Sequence, residues 1–238
     1  ADVYCEDGFI RAIGRGIDSK ADITVDGSHM LCYPGLVNTH HHLYQQFSRN
    51  LPEVQGFELF DWLRYLYDIW KNIDEELITL SSLTGMGELM KNGCTTCFDH
   101  HYVFPRDGGD LIAAQFEAAG LIGMRMHASR GSMDLSKKDG GLPPDSVVQT
   151  IDEIMKDTVR LIEKYHDPSK GSMRQIALAP CSPFSVSGEL LKESAALARQ
   201  YGVRLHTHLC ETKDEESYTL ERYGMRPYSY MESLGWTG

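Results

Sequence analysis

The chain has 238 residues, of which 42% are hydrophobic and 24% are charged, as in an ordinary globular protein. Its formal net charge is −11 and its basic residues form no run, which argues against nucleic acid or an anionic membrane surface as a partner. The sequence contains no apolar stretch as long as a membrane span and does not open on a signal-peptide pattern.

The six cysteines are scattered along the chain, mostly within apolar, strand-like runs. A chain of this length can bury a sufficient core without disulfides, so we expect reduced thiols and a cytoplasmic location. Cys94 and Cys97 form a C-x-x-C, but no second pair follows them. Because they lie in a predicted buried strand, we interpret them as structural.

The first 33 residues are predicted to form β structure. Apolar runs at residues 3–5 and 9–13 flank an Asp-Gly pair, which predicts a hairpin. Runs at residues 22–25 and 30–33 flank another Asp-Gly pair and predict a second hairpin.

From Pro34 onward, strand-like and helix-like segments alternate. The predicted strands end near residues 40, 100, 128, 180 and 209. The predicted helices cover residues 58–70, 74–91, 111–119, 145–165, 188–201, 218–223 and 228–234. Alternation of this kind predicts an α/β fold in which parallel strands are joined by helical crossovers.

Two α/β architectures fit this order. Functional-looking residues at the carboxyl ends of several strands favour a (β/α)8 TIM barrel, since active sites gather on that face. An open doubly wound sheet is the alternative, although no glycine-rich phosphate loop follows the first strand. We count five strands where a complete barrel has eight, so we expect an open sheet or part of a longer protein, and favour the latter.

Two histidine clusters, at residues 40–42 and 206–211, follow the first and last of these strands. Because side chains alternate along a strand, His40 and His42 are expected on one face and His41 on the other. His208 would supply a third imidazole, with His206 the weaker candidate by position, and Glu211 a nearby proton carrier. Imidazole is the commonest protein ligand for zinc, and the combination indicates metal-activated water and hydrolysis.

Four further residues are candidate substrate contacts. They are Gln46, His127, Arg130 and Cys181. Three of them have an alternative interpretation: a surface or capping role for Gln46, a contact with a metal ligand instead of substrate for His127, and a local ion pair for Arg130. Cys181 follows the fourth strand, but no base is placed to make it a nucleophile. The aromatic stretch at residues 58–70 is expected to form a pocket wall or lid.

The stretch PGLVNTHHHLYQQ at residues 34–46 strongly resembles the metal-binding start of the amidohydrolase superfamily, and HLCE at residues 208–211 resembles the motif of its mononuclear aminohydrolase branch. The stretches NTHHHLYQ (38–45), HASRGSM (127–133), GLPPDSVV (141–148) and APCSPFSVS (179–187) are similar to the group containing 8-oxoguanine deaminase, hydroxyatrazine aminohydrolase and isoxanthopterin deaminase.

This resemblance implies a partial β-sandwich domain over residues 1–33 and the N-terminal portion of a catalytic barrel over residues 34–238. It also implies that His40, His42 and His208 bind one divalent metal, Zn2+ or alternatively Fe2+, and that Glu211 moves protons. The predicted fourth strand contains no lysine, which favours one metal over two. The family also requires a histidine after strand six and an aspartate after strand eight, which would lie beyond residue 238.

The implied function is hydrolytic deamination of a small nitrogen heterocycle similar to 8-oxoguanine, a pterin or a hydroxytriazine. A triazine-type hydrolase that displaces chloride or an alkylamine is the alternative within enzymes. An inactive fragment that only binds metal is the alternative outside them. The expected partner is therefore a small heterocyclic substrate, and the family resemblance also implies a homo-oligomer.

Overall fold

The computed structural model describes residues 1–236. The strands are β1 (Asp2–Glu6), β2 (Phe9–Gly14), β3 (Leu36–Asn38), β4 (Cys94–Asp99), β5 (Arg125–Ser132), β6 (Arg174–Pro180) and β7 (Arg204–Leu205). The α-helices are α1 (Leu59–Trp70), α2 (Glu75–Lys91), α3 (Leu111–Ile122), α4 (Ile151–Tyr165), α5 (Gly188–Tyr201), α6 (Lys213–Tyr223) and α7 (Pro227–Ser233). Short 3₁₀ helices include Leu43–Ser48.

Strands β3 to β7 form one parallel sheet in which spatial order equals sequence order. Helices α1 and α2 connect β3 to β4, and one helix lies in each of the next three connections. A doubly wound sheet would reverse strand order at a switch point, whereas a barrel adds each strand beside the last. The sequential order therefore confirms the partial TIM barrel and removes the doubly wound alternative.

The N-terminal hairpin is present, since β1 and β2 pair antiparallel around Asp7-Gly8. The second predicted hairpin is wrong, because residues 22–33 contain no regular strand. Their apolar side chains stay exposed, as Leu31 at 82% shows. A strand requires a hydrogen-bonded neighbour, and among residues 1–236 none lies beside this segment. Neither result tests the division into domains at residue 33, which stays a prediction.

Helix boundaries follow local capping chemistry. Helix α3 continues past Gly120 to Ile122, because the left-handed residue that ends it is Gly123, at φ +78°. Helix α4 starts only at Ile151, after a reciprocal capping box between Thr150 and Glu153. The predicted start at residue 145 is instead a separate 3₁₀ turn. Within the described residues, no helix has the length and apolar character needed to cross a membrane.

One buried carboxylate ties the first histidine cluster to the barrel core. Asp99 ends β4 and is fully buried. It accepts hydrogen bonds from the backbone N–H of Leu43 at 2.6 Å and from the side-chain amide of Gln115 on α3 at 2.5 Å. These contacts fix the residue that directly follows the histidines. Burial raises the pKa of Asp99 to about 7, although both hydrogen bonds oppose the rise.

This carboxyl predicts a pH-dependent stability. The folded state keeps a proton that the unfolded Asp99 releases near its ordinary pKa of 3.8, so its contribution to stability is present at low pH and is lost as pH rises towards 7. We expect the wild type to lose about 3 kcal/mol relative to Asp99→Asn between pH 4 and 7. Urea unfolding of the metal-free protein measures this difference. Parallel pH curves for the two proteins would contradict it, and exposed Asp18→Asn is the control.

Candidate active site

The two histidine clusters meet at the carboxyl end of the sheet. The Nε2 atoms of His40 and His42 lie 3.2 Å apart, and those of His42 and His208 lie 3.1 Å apart. His40 and His42 follow β3 and His208 follows β7, the two outer strands of the sheet. In a flat sheet these strands would be about 19 Å apart. Their contact shows that the sheet curls as a barrel does.

Backbone carbonyls fix the ring orientation of two of these histidines. His42 Nδ1–H donates to the carbonyl of His100 at 2.7 Å, and His208 Nδ1–H donates to the carbonyl of Cys181 at 2.8 Å. With Nδ1 as donor, each ring presents a bare Nε2 lone pair to the cluster. Burial lowers the pKa of both imidazoles, for His42 well below the ordinary value. Both rings are therefore held neutral, the form that binds metal.

These residues fit a zinc ion. Two bare Nε2 lone pairs 3.1 Å apart repel each other unless a cation lies between them. The edge of a tetrahedron with Zn–N bonds of 2.0–2.1 Å is about 3.3 Å, close to the observed Nε2 separations. His40, His42, His100 and His208 each offer a ring nitrogen, all within 4.8 Å of one another. The site thus has the donor type and spacing of a zinc centre.

His206 and His100 lie beside the three histidines whose Nε2 atoms meet. His206 Nε2 lies 2.8 Å from Nδ1 of His40, so it can accept the Nδ1–H of His40 and direct the opposite nitrogen of that ring to the cluster. His100 is fully buried and stacks on His208 with ring centroids 4.4 Å apart. Its Nε2–H donates to the carbonyl of Ala179 at 3.1 Å. His206 is therefore better placed to orient His40 than to replace His208.

A cavity of about 350 Å³ opens beside the histidines. It is lined by His42, Gln45, Phe57, Leu59, Trp62, Leu63, Tyr102, Cys181, Phe184, His208 and Glu211. Its walls are mainly apolar and aromatic, as in sites for small flat ligands. The α1 segment contributes Leu59, Trp62 and Leu63, which agrees with its predicted place in a pocket wall.

Glu211 lines this cavity together with His42 and His208. Its side chain remains open to solvent, yet the surrounding walls raise its pKa above the ordinary value through desolvation. A raised pKa keeps a larger fraction of this carboxyl protonated near neutral pH, as a proton donor requires. The predicted proton carrier and two of the predicted ligands therefore face the same space.

The structure replaces Gln46 by Gln45 as the pocket amide. Residues 43–48 form a 3₁₀ helix with three residues per turn, so Gln45 lies one turn after His42 and on the same face. Gln46 packs against Gly85 of α2, and its Oε1 is buried with no partner among the described residues. Gln46 does not line this cavity, and its contact with substrate stays a prediction. Knowing that this stretch is a 3₁₀ helix would have identified Gln45.

Arg130 does not line the pocket. Its side chain is buried and donates from Nε to Asp157 at 2.6 Å and from Nη2 to Gln149 at 2.7 Å. Its guanidinium lies 3.9 Å from the ring centroid of Phe104. This arginine connects β5 to α4, so the local-ion-pair interpretation is the one that the structure supports.

His127 and Cys181 have different positions. His127 lies near the start of β5. Its pKa is lowered mainly by burial and also by the positive charges of Arg204 and Arg125. These two arginines begin β7 and β5, at the end of the sheet opposite the pocket. His127 therefore lies away from the cavity, and its contact with substrate stays a prediction. Cys181 does line the pocket. Burial raises the pKa of its thiol to about 12, which excludes a thiolate near neutral pH.

Comparison with known proteins agrees with this architecture. Residues 31–237 match the family model described as the Amidohydrolase family, and the chain belongs to that family. In the crystal structure of atrazine chlorohydrolase from Arthrobacter aurescens TC1 complexed with zinc, 46% of that chain matches 85% of this one. The TM-score is 0.81 and the sequence identity is 33%.

Two enzymes are similar in sequence. The 8-oxoguanine deaminase of Pseudomonas aeruginosa is 47% identical over 213 residues, which cover 90% of this chain and 47% of that protein. The hydroxydechloroatrazine ethylaminohydrolase of Pseudomonas sp. strain ADP is 40% identical over 229 residues, which cover 95% of this chain and 47% of that protein. The chain thus spans about half the length of these relatives. The family and the group predicted from the sequence are confirmed.

Proposed function

We propose that the protein containing this chain is a metal-dependent aminohydrolase that deaminates a small nitrogen heterocycle. The observation that carries the proposal is a single geometry: three imidazole Nε2 atoms converge beside a carboxyl group, in a cavity with aromatic walls. The relatives named 8-oxoguanine deaminase and hydroxydechloroatrazine ethylaminohydrolase support the reaction class.

We propose that His40, His42 and His208 hold one zinc ion. When bound, zinc supplies a water of lowered pKa, the nucleophile of such hydrolases. Neutral rings, held by the carbonyls of His100 and Cys181, keep their lone pairs available for this ion without competition from protons. Fe2+ is the alternative metal, since imidazole also suits iron.

Glu211 is the proton carrier of the proposed reaction. A carboxyl beside the reacting carbon can protonate a ring nitrogen and then the departing amine, and both lie within reach of one side chain. The apolar walls of the cavity, among them Trp62 and Phe184, accept a flat ring and exclude bulk water. This chemistry parallels that of other zinc deaminases, in which a glutamate that is not a ligand moves the protons.

A triazine hydrolase that displaces chloride or an alkylamine is the second candidate. It is supported by the ethylaminohydrolase relative and by the 33% identical chlorohydrolase structure. Both reactions need the same metal site and differ in the group that leaves. The cavity volume of about 350 Å³ admits one small ring system in either case.

The leaving group decides between these candidates. The full-length protein, stripped by chelation and reloaded with one equivalent of zinc, would be assayed with oxidised purines, pterins, hydroxytriazines and chlorotriazines. Ammonia, alkylamine and chloride are measured separately. Ammonia release from an aminoheterocycle supports the main proposal, and chloride or alkylamine release alone supports the second. A zinc-loaded protein that releases none of the three would overturn both.

The cytoplasmic location and a homo-oligomeric state also remain proposals.

A further inference from the structure

The loop that carries Glu211 is held by a buried carboxylate outside the pocket. Glu215, in the first turn of α6, is fully buried. Its Oε1 accepts the backbone N–H of Cys210 at 3.0 Å, and its Oε2 accepts that of Glu211 at 2.7 Å. Each carboxylate oxygen therefore holds one of two consecutive backbone N–H groups, that of Glu211 and that of the residue before it.

These contacts differ from ordinary helix capping. Residues 212–215 read T-x-x-E, a pattern that predicts a capping box in which Glu215 would bind the N–H of Thr212. Thr212 does cap the helix by accepting from the Glu215 N–H at 3.3 Å. The glutamate side chain, however, passes Thr212 and reaches one and two residues further back. In the same molecule Glu153 does return to the N–H of Thr150, so the departure at α6 is specific.

The backbone held by Glu215 is strained. Cys210 has φ +59°, in the left-handed region that residues with a side chain rarely adopt. Such a conformation persists only where neighbouring interactions impose it, and it is common at functional sites. The hydrogen bond from the Cys210 N–H to Glu215 is an interaction of this kind. Burying a carboxylate without a cation is also unfavourable, so two charge-assisted hydrogen bonds must offset it.

We propose that Glu215 is a positioning residue for Glu211: it holds the left-handed turn at Cys210 and thereby directs the Glu211 carboxyl into the cavity. This inference rests on the proposed function, in which Glu211 moves protons. A residue that merely began α6 would require neither the buried charge nor the contacts to residues 210 and 211. If Glu215 is lost, Cys210 relaxes to negative φ and the Glu211 side chain leaves its position beside His208.

Glu215→Gln tests the inference, with Glu216→Gln as the matched control. Glutamine offers one acceptor oxygen instead of two and places an NH₂ group against a backbone N–H. Glu216 is the adjacent glutamate, but it is paired with Arg226 at the surface. Hydrogen exchange at the amides of Cys210 and Glu211 is the readout that does not depend on activity. We expect it to accelerate at least about tenfold in Glu215→Gln and to stay unchanged in Glu216→Gln.

The kinetic readout separates positioning from folding. With the zinc-loaded full-length protein, Glu215→Gln should lower kcat about 10- to 100-fold, within the range of a general acid–base. KM should stay within about threefold, and the zinc content should not change, since neither residue 211 nor 215 is a ligand. A wild-type kcat in Glu215→Gln would overturn the inference, as would a kcat loss that merely follows loss of zinc.

A second variant addresses the strain directly. Glycine adopts positive φ without penalty, so Cys210→Gly leaves the left-handed turn accessible when Glu215 no longer holds it. The double variant Cys210→Gly/Glu215→Gln should therefore recover part of the kcat lost in Glu215→Gln. No recovery would show that the loss of kcat does not pass through this backbone and would overturn the inference.

Amide exchange that is unchanged by Glu215→Gln overturns the inference whatever the activity. An inactive wild type overturns the proposed function instead, and the exchange result then decides the role of Glu215.

Discussion

Replacing Glu211 by glutamine is expected to lower kcat of the zinc-loaded protein by about 10² to 10⁴, the usual contribution of a general acid–base. Glutamine keeps the size of the side chain and its hydrogen-bonding capacity but carries no proton to transfer. The side chains that could hold the metal are four histidine rings, and Glu211 is not one of them. The zinc affinity of Glu211→Gln should therefore stay within about threefold of the wild type. Steady-state kinetics of ammonia release and chelator competition for zinc measure the two effects.

The control for this variant is Glu221→Gln. Glu221 is an exposed glutamate on α6, the helix that follows the loop carrying Glu211. This control removes the same charge without entering the cavity, so its kcat should equal that of the wild type. A Glu211→Gln protein that retains full activity with zinc bound would assign the proton transfers to another group. Tyr102 also lines the cavity, but burial raises its pKa well above its ordinary value, which makes it a weak proton donor.

Much of the barrel was predictable because its signals are local. Alternating strand-like and helix-like segments gave the parallel sheet, and the serine, threonine or aspartate that starts each helix from α2 to α6 is readable as a cap. The convergence of His40 with His42 followed from the two-residue period of extended chain, and it holds even though regular strand ends at Asn38. Their meeting with His208 required one more inference, that the sheet closes towards a barrel.

The pocket contacts were less predictable, because residue type does not determine where a side chain points. Arg130 lies in β5, a strand rich in small residues, and its side chain could face either side of the sheet. A half-buried acceptor on α4, Asp157, draws it away from the cavity. Gln45 and Gln46 are adjacent and chemically identical, so only the local helix type separates them. Tyr102 and Phe184 come to the cavity from loops after β4 and β6, and no periodic pattern predicts such positions.

The role of Glu215 illustrates a different limit. The pattern T-x-x-E at residues 212–215 indicates a helix start there, earlier than the predicted start at residue 218. It gives no indication that the glutamate would hold residues 210 and 211 instead of Thr212. That arrangement depends on the positive φ of Cys210, a non-glycine residue that sequence reasoning would not place in the left-handed region. Where a local rule predicts one partner and the fold provides another, a functional constraint is a natural explanation.

The second large effect is expected from His208→Ala, which should weaken zinc binding by more than about 100-fold and abolish activity at stoichiometric zinc. The loss exceeds the reduction of about 10- to 100-fold that is typical when a residue hydrogen-bonded to a ligand is substituted, because a ligand itself is removed. Removing His208 also leaves the carbonyl of Cys181 without its imidazole donor, so thermal unfolding of the metal-free variant must be compared with that of the wild type. Competition with a chelator of known affinity gives the zinc dissociation constant.

His29→Ala, an exposed histidine in the N-terminal segment, controls for loss of any imidazole and should bind zinc as the wild type does. The variant His206→Ala distinguishes a ligand from a residue that orients one. His206 contacts Nδ1 of His40 and lies outside the cluster of four histidines. The zinc affinity of this variant should therefore fall by only about 10- to 100-fold. Substituting Co2+ makes the coordination visible in the absorption spectrum, which should change shape for His208→Ala and only lose intensity for His206→Ala at limiting metal. The reverse pattern would make His206 the ligand and His208 its support.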